Sequence, residues 1–212
     1  MSTFERSSGW CAIVVGAAGF LYSVSFVATL RGVASLGTWA AIFLLIGAIN
    51  TVQVLSALYR RTRDVDAGFA LTAVLFGLVG ALAAALHGGY DLANAVHPPS
   101  AAATDFPSPM DPRGLGTFGF AGLALLVFSR LIQRGAIARD AVDLAARTRL
   151  PHGLAMLGYI SGILLVLTYL GRLIVLDPNS LLILVPAGVE GFVVNPIWYV
   201  WLGVALLRGP RS

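Results

Sequence analysis

The chain has 212 residues, of which 58% are hydrophobic and 11% are charged, and its net charge is +4. Soluble domains carry roughly 25% charged residues, so this chain has too few charges to cover a water-facing surface. It contains no lysine and a single cysteine, Cys11, which excludes lysine Schiff bases, P-loop lysine sites and intramolecular disulfides. We therefore expect lipid to replace water as the solvent of most of the surface.

Apolar runs of about 20 residues recur along the chain, and a helix of ~20 apolar residues crosses the ~30 Å hydrocarbon core of a bilayer. This pattern predicts an all-α, polytopic membrane protein that forms one domain over 1–212 and has about six transmembrane helices. The start of the sixth helix is left open between residues 181 and 187. The predicted spans are 10–30, 38–59, 67–86, 116–132, 154–176 and 187–207.

Two connections are long enough to have structure of their own. In 136–149, Arg139, Asp143 and Arg147 recur every four residues, which predicts a short surface helix on the inner leaflet. In 88–114, five prolines oppose regular structure, which predicts an outer proline-rich loop.

The distribution of arginines predicts the orientation of the chain. With the N-terminus inside, 11 arginines lie on the inner side and three, Arg31, Arg113 and Arg172, on the outer side. This asymmetry follows the positive-inside rule and predicts a protein of the cell inner membrane with both termini in the cytoplasm. Because helix-end arginines account for the positive charge, we expect the lipid bilayer as partner and no nucleic acid. The small size favours a homo-oligomer or a larger membrane complex.

An internal repeat is one interpretation of two similar segments. Residues 16–32 and 119–135 match at six of 17 positions without a gap, including both ends. Because spans one and four cross in opposite directions, a true repeat would be an inverted three-plus-three repeat, as in many transporters. Glycine- and alanine-rich apolar segments also match by chance, which is the competing interpretation.

Glu190 is the notable acidic residue within the predicted spans, where ionisable side chains are costly and need a reason. Pro186 and Asn195–Pro196 are expected to bend the helix that carries it. One interpretation is an ion pair of Arg172 with Glu190 or Asp177 that locks two neighbouring helices. The functional interpretation is that Arg172 and Glu190 line an outward-facing polar cavity and belong to a ligand-binding site or an ion pathway.

His87, Asp91 and His97 follow one another at the outer end of span three. The spacing of His87 and Asp91 puts them on one helical face if the helix continues through Gly88–Gly89, although two glycines oppose this. Together with His97 they are candidate ligands for zinc or another divalent ion, and otherwise they are loop residues that meet water. Two histidines for a haem do not fall on facing helices, so no cofactor is predicted.

The last predicted helix carries a resemblance to a known class of proteins. The segment NPIWYVWLGVALLR, residues 195–208, resembles the final helix of uncharacterised bacterial six-helix integral membrane proteins of the domain-of-unknown-function type. The likeness covers about 14 residues and, more loosely, the six-span layout. It implies a membrane fold of six helices and no particular activity.

Three functional hypotheses follow from these patterns. The first is a non-enzymatic accessory, sensory or structural membrane subunit, because no catalytic motif is present and no residue is predicted to be catalytic. The second is a small solute or ion carrier that uses Glu190. The third is an intramembrane enzyme that acts on lipid or quinone at the outer face through His87, Asp91 and Glu190.

Overall fold

The computed structural model describes residues 2–96, 110–137, 150–175, 177 and 180–208, and the described part of the chain is helical and contains no strand. Each of the six helices is at least 23 residues long, about 34 Å at 1.5 Å per residue, and apolar enough to cross a membrane. This confirms the predicted all-α polytopic fold. The helices are α1 (Thr3–Leu30), α2 (Leu36–Thr62), α3 (Ala67–Val96), α4 (Pro112–Ile137), α5 (His152–Ile174) and α6 (Leu181–Leu207).

The six helices form a closed ring. Each helix packs against its neighbours in the chain, and α6 closes the ring by packing along α1. The start of α1 and the end of α6 meet on one face, where a Cβ atom at Gly9 would lie 2.7 Å from Leu207 Cγ. We call this face the termini face and the other face the opposite face.

Glycines allow the helices of the ring to approach closely. A Cβ atom at Gly122 on α4 would lie 2.9 Å from the carbonyl oxygen of Gly162 on α5. At the α1–α6 contact, a Cβ atom at Gly16 would lie 3.0 Å from the Pro196 carbonyl oxygen. Small residues are typical of membrane helix interfaces, where contact between backbones replaces the hydrophobic effect as the source of association.

Helix α3 is longer than the sequence predicts. It continues through Gly88 and Gly89 to Val96, so 88–96 are helical and the outer loop starts later than predicted. The reason is a tertiary contact: a Cβ atom at Gly88 would lie 3.0 Å from the Ala41 carbonyl oxygen of α2. Glycine is needed there for the close approach and does not end the helix. Residues 97–109, including His97, lie outside the described residues.

The other helix limits also differ from the predicted spans. Helix α6 begins at Leu181, the early limit of the predicted interval and not residue 187, and α4 runs from Pro112 to Ile137. The first two residues of the predicted surface helix 136–149 therefore belong to α4, and 138–149 are not described.

Two helices contain π-helical segments. One, Leu115–Phe120, forms the beginning of α4, and the other, Glu190–Val194, interrupts α6. The interruption in α6 precedes Pro196, which has no backbone N–H to donate to the preceding turn. π-Helical turns are rare in α-helices, and they are frequent at functional sites. The predicted irregularity near Asn195–Pro196 is thus present as a widened turn that begins at Glu190.

Candidate functional site

A cavity of about 140 Å³ lies at the centre of the ring. All six helices contribute to its wall, and many of the contributing residues are glycines and alanines, which leave the space that larger side chains would fill. Gly47 on α2 illustrates this, because the nearest atom to a Cβ placed there is the Ala18 Cβ, 3.9 Å away. The small residues of the wall include Gly19, Gly47, Ala48, Gly80, Ala81 and Ala84.

The rest of the cavity wall is mostly apolar and aromatic. The residues described in the structure place no charged side chain in this wall. Two of its polar groups are already bonded: Trp198 Nε1 donates to the Leu154 carbonyl oxygen at 3.0 Å, and Thr51 Oγ1 donates to the Gly47 carbonyl oxygen at 2.8 Å. The buried Thr117 Oγ1 has no hydrogen-bond partner among the described residues. The wall therefore offers the Thr117 hydroxyl group as a free polar group in apolar surroundings.

Glu190 lies at the start of the π-helical segment of α6, between α1 and α5. It is 4% exposed, and its Oε1 accepts a hydrogen bond from Ser161 Oγ of α5 at 2.6 Å. The Asn195 side chain is its second polar neighbour, while the buried Oε2 has no hydrogen-bond partner among the described residues. At 1.5 Å per residue, Glu190 is about 14 Å from the start of α6 and about 25 Å from its end. The carboxyl group is therefore deep within the span.

Arg172 does not form the predicted ion pair with Glu190. None of the ion pairs that the described residues form includes Glu190. Ser161, which holds Glu190, precedes Arg172 by 11 residues on α5, about 16 Å along the helix. Arg172 instead lies at the opposite face, with its guanidinium carbon 5.4 Å from the centre of the Phe118 ring.

The opposite face carries a second group of polar residues, which includes three of the predicted site residues. His87 Nε2 and Asp91 Oδ2 are 3.1 Å apart, one turn from each other on α3. Tyr22 of α1 lies within electrostatic range of Arg172, Asp91 and Asp111. The structure therefore brings Arg172, His87 and Asp91 into one region and leaves Glu190 outside it.

Asp111 anchors the start of α4. Its Oδ1 accepts from the Gly116 backbone N–H at 2.8 Å and its Oδ2 from that of Thr117 at 2.9 Å. The turn between these groups holds Arg113 at a φ of 58° and Gly114 at 79°. The left-handed region is strained for arginine but natural for glycine, so the two hydrogen bonds offset a local strain.

The candidate metal site is only partly described. Among the residues that the structure describes, no group of three or more histidine, cysteine or acidic residues is placed to hold a metal ion. The His87–Asp91 pair exists, and the third candidate ligand, His97, lies outside the described residues. A metal site that includes His97 stays a prediction.

The catalytic combination of His87, Asp91 and Glu190 is not brought together. His87 and Asp91 belong to α3, which packs against α2 and α4, whereas the segment of Glu190 packs against α1 and α5. These positions are on different sides of the ring.

Sequence reasoning missed three contributors: Ser161, Asp111 and Tyr22. Asp111 stands five residues before Gly116, at the start of a predicted span, which is a position where acidic side chains cap helices. Ser161 and Tyr22 carry no such local signal, because their roles depend on the register between helices.

Comparison of the chain with family models, with curated proteins and with solved structures gave no match. The resemblance of residues 195–208 to bacterial six-helix proteins therefore stays a prediction.

Proposed function

We propose that this chain is a non-enzymatic, sensory or accessory membrane subunit that holds one small lipophilic molecule in its central cavity. The observation that carries the proposal is the cavity itself, of about 140 Å³, formed by residues of all six helices and lined mostly by apolar and aromatic side chains. Binding pockets for small molecules are typically apolar with a few placed polar groups. The free Thr117 hydroxyl is such a group.

The make-up of the wall favours binding over catalysis. General acid–base and nucleophilic catalysis need a titratable or nucleophilic side chain beside the reacting atoms, with a second group to activate it. The described wall residues include tyrosines and threonines but no histidine, cysteine or acidic residue. A bound molecule is therefore expected to leave the cavity unchanged.

The same proposal places the protein in the cytoplasmic membrane with the termini face inside the cell. The arginines near that face include Arg6, Arg60, Arg61 and Arg208, which supports this orientation through the positive-inside rule. The lipid bilayer is then the first partner. A subunit of 212 residues with apolar outer helix faces is suited to a homo-oligomer or a larger membrane complex.

Native mass spectrometry of the protein in mild detergent tests the proposal. We expect the intact mass to include a small organic molecule that is lost at higher collision energy. A protein that carries no added mass, even after incubation with lipid extract of the host membrane, would contradict ligand binding. A bound metal ion in place of an organic molecule would point instead to His87 and Asp91.

A carrier that uses Glu190 is the second candidate, and a specific observation favours it. Glu190 Oε2 is buried without a hydrogen bond at a π-helical turn, and broken helices with buried acids recur on transport pathways. Proteoliposomes that contain a pH-sensitive dye test this candidate. If Glu190 carries protons, a pH gradient decays faster with the wild type than with Glu190→Gln. Asp66→Asn, at the termini face, behaves as the wild type, because asparagine also accepts the hydrogen bond from the Phe69 N–H. Equal rates for wild type and Glu190→Gln would remove this mechanism.

A further inference from the structure

Aromatic rings are the largest components of the cavity wall. Tyr22 of α1, Phe43 of α2, Phe128 of α4, and Trp198 and Tyr199 of α6 all contribute to it. Trp198 and Tyr199 meet edge to face, with ring centres 4.9 Å apart. Because the Trp198 N–H is bonded to the Leu154 carbonyl oxygen, this donor is already used, and the indole contributes its aromatic ring to the wall. A wall of this kind attracts cations through the ring quadrupoles.

A buried carboxyl group without a cationic partner lies behind this wall. Glu190 makes no ion pair with a described residue, and its Oε2 has no hydrogen bond. Asn195, its polar neighbour, is itself part of the cavity wall, and Glu190 lies within electrostatic range of Tyr199, another wall residue. A positive charge in the cavity would therefore lie near this carboxyl group, in surroundings of low dielectric constant.

We propose that the molecule held by the cavity is a small lipophilic cation, a quaternary ammonium or a protonated amine with apolar substituents. This inference rests on the proposed function, since it names the chemical class of that ligand. The aromatic rings would surround the ammonium group, Glu190 would supply the counter-charge from behind Asn195, and the apolar residues of the wall would contact the substituents.

The charges around the cavity disfavour the other classes of ligand. An anion would meet no arginine or histidine in the described wall. Two arginines of the opposite face, Arg113 and Arg172, are accompanied there by Asp91 and Asp111, which offset their charge. A hard metal ion takes six or more oxygen ligands, more than this wall places around one point.

A pair of matched compounds tests the charge of the ligand. Benzyltrimethylammonium and neopentylbenzene have the same shape, but a carbon atom replaces the charged nitrogen in the second. Titration of each into detergent-solubilised protein, followed by native mass spectrometry, gives the two dissociation constants. We expect the cation to bind about tenfold or more tightly than its neutral isostere, since the rings and the carboxylate act only on the charge.

Two amide variants locate the source of the preference. Glu190→Gln is expected to lower the affinity for the cation about tenfold and to leave the affinity for neopentylbenzene unchanged. Asp66→Asn, an acid-to-amide change at the termini face that keeps a cap on the Phe69 N–H, is expected to alter neither. The comparison of the two compounds on the wild type needs no variant, so it stands even if Glu190→Gln does not fold.

The outcomes separate this inference from the proposed function. Equal affinity of the wild type for both compounds would overturn the cationic ligand while leaving a lipophile-binding cavity. A cation preference that survives in Glu190→Gln would overturn the part assigned to the carboxyl group. Failure of both compounds to bind would overturn the inference, and the proposed function would fail with it only if native mass spectrometry also finds no bound molecule.

Discussion

Replacing Ser161 with alanine tests the hydrogen bond that joins α5 to α6 inside the bundle. Ser161 is fully buried, and its hydroxyl donates to Glu190 Oε1 at 2.6 Å. Removal of this donor leaves the carboxyl group with Asn195 as its polar neighbour, because Oε2 already has no hydrogen bond. The loss is therefore expected to fall on a buried acid and not on a group that water can reach.

The magnitude follows from two known ranges. Hydrogen bonds to charged groups contribute about 1.5–3 kcal/mol in soluble proteins. Interhelical hydrogen bonds in membranes average about 0.6 kcal/mol and reach about 1.7 kcal/mol. For a short, fully buried bond to a carboxyl group, we expect Ser161→Ala to lower the free energy of unfolding by about 1–2 kcal/mol.

Ser129→Ala is the matched control. Ser129 on α4 is also fully buried, but its hydroxyl has no hydrogen-bond partner among the described residues. The same substitution there removes an unpaired polar atom, so the free energy of unfolding should change by no more than about 0.5 kcal/mol or rise.

The assay is a denaturant titration in mixed micelles, followed by circular dichroism, on four proteins: wild type, Ser161→Ala, Glu190→Met and the double variant. If the bond acts as described, Ser161→Ala is destabilising in the wild-type background and neutral in the Glu190→Met background. The reasoning is refuted if Ser161→Ala is as harmless as Ser129→Ala, or if it costs the same in both backgrounds.

Three further predictions concern helix packing and the start of α4. Gly122→Leu should lower the free energy of unfolding by about 1–3 kcal/mol, because its Cβ would lie 2.9 Å from a backbone carbonyl oxygen of α5. Gly188→Leu is the control and should be tolerated in the same denaturant titration, because no atom lies within 4 Å of its Cβ position. Gly114→Ala should lower the free energy of unfolding by about 1–2 kcal/mol, since Gly114 has a φ of 79°. Gly89→Ala, at an open helical position, is the control and should not lower the denaturant concentration at the unfolding midpoint. Asp111→Ala should lower the free energy of unfolding by about 1–2 kcal/mol, because Asp111 accepts two hydrogen bonds from backbone N–H groups. The backbone amides at the start of α4 should then exchange hydrogen faster, and an unchanged exchange rate there would contradict this prediction.

The number and order of the helices could be predicted from the sequence because a bilayer imposes one simple requirement. An apolar run long enough to cross it must be helical, since lipid offers no partner to backbone polar groups. The limits of the helices were less predictable. Gly88 and Gly89 indicated the end of α3, yet the helix continues, because Gly88 faces the backbone of α2, and that contact is set by tertiary packing.

The candidate site was predictable one residue at a time but not as an arrangement. Glu190 stood out because acids inside a membrane span are rare. Its partner is Ser161 and not Arg172, because the partner depends on which turns of α5 and α6 face each other. The central cavity combines residues of all six helices, so no local pattern encodes it. The glycines and alanines of its wall look the same in the sequence as those that pack helices together.

Blocking the cavity at Gly47 tests the central claim most directly. Gly47 belongs to the cavity wall and has only the Ala18 methyl group, at 3.9 Å, near its missing Cβ atom, so Gly47→Leu would fill space within the ring. Native mass spectrometry of this variant, beside the wild type and Gly188→Leu, measures the fraction of protein with a bound small molecule. We predict that Gly47→Leu loses the bound mass while the wild type and Gly188→Leu keep it. Equal occupancy in all three proteins would contradict a binding site at the centre of the ring.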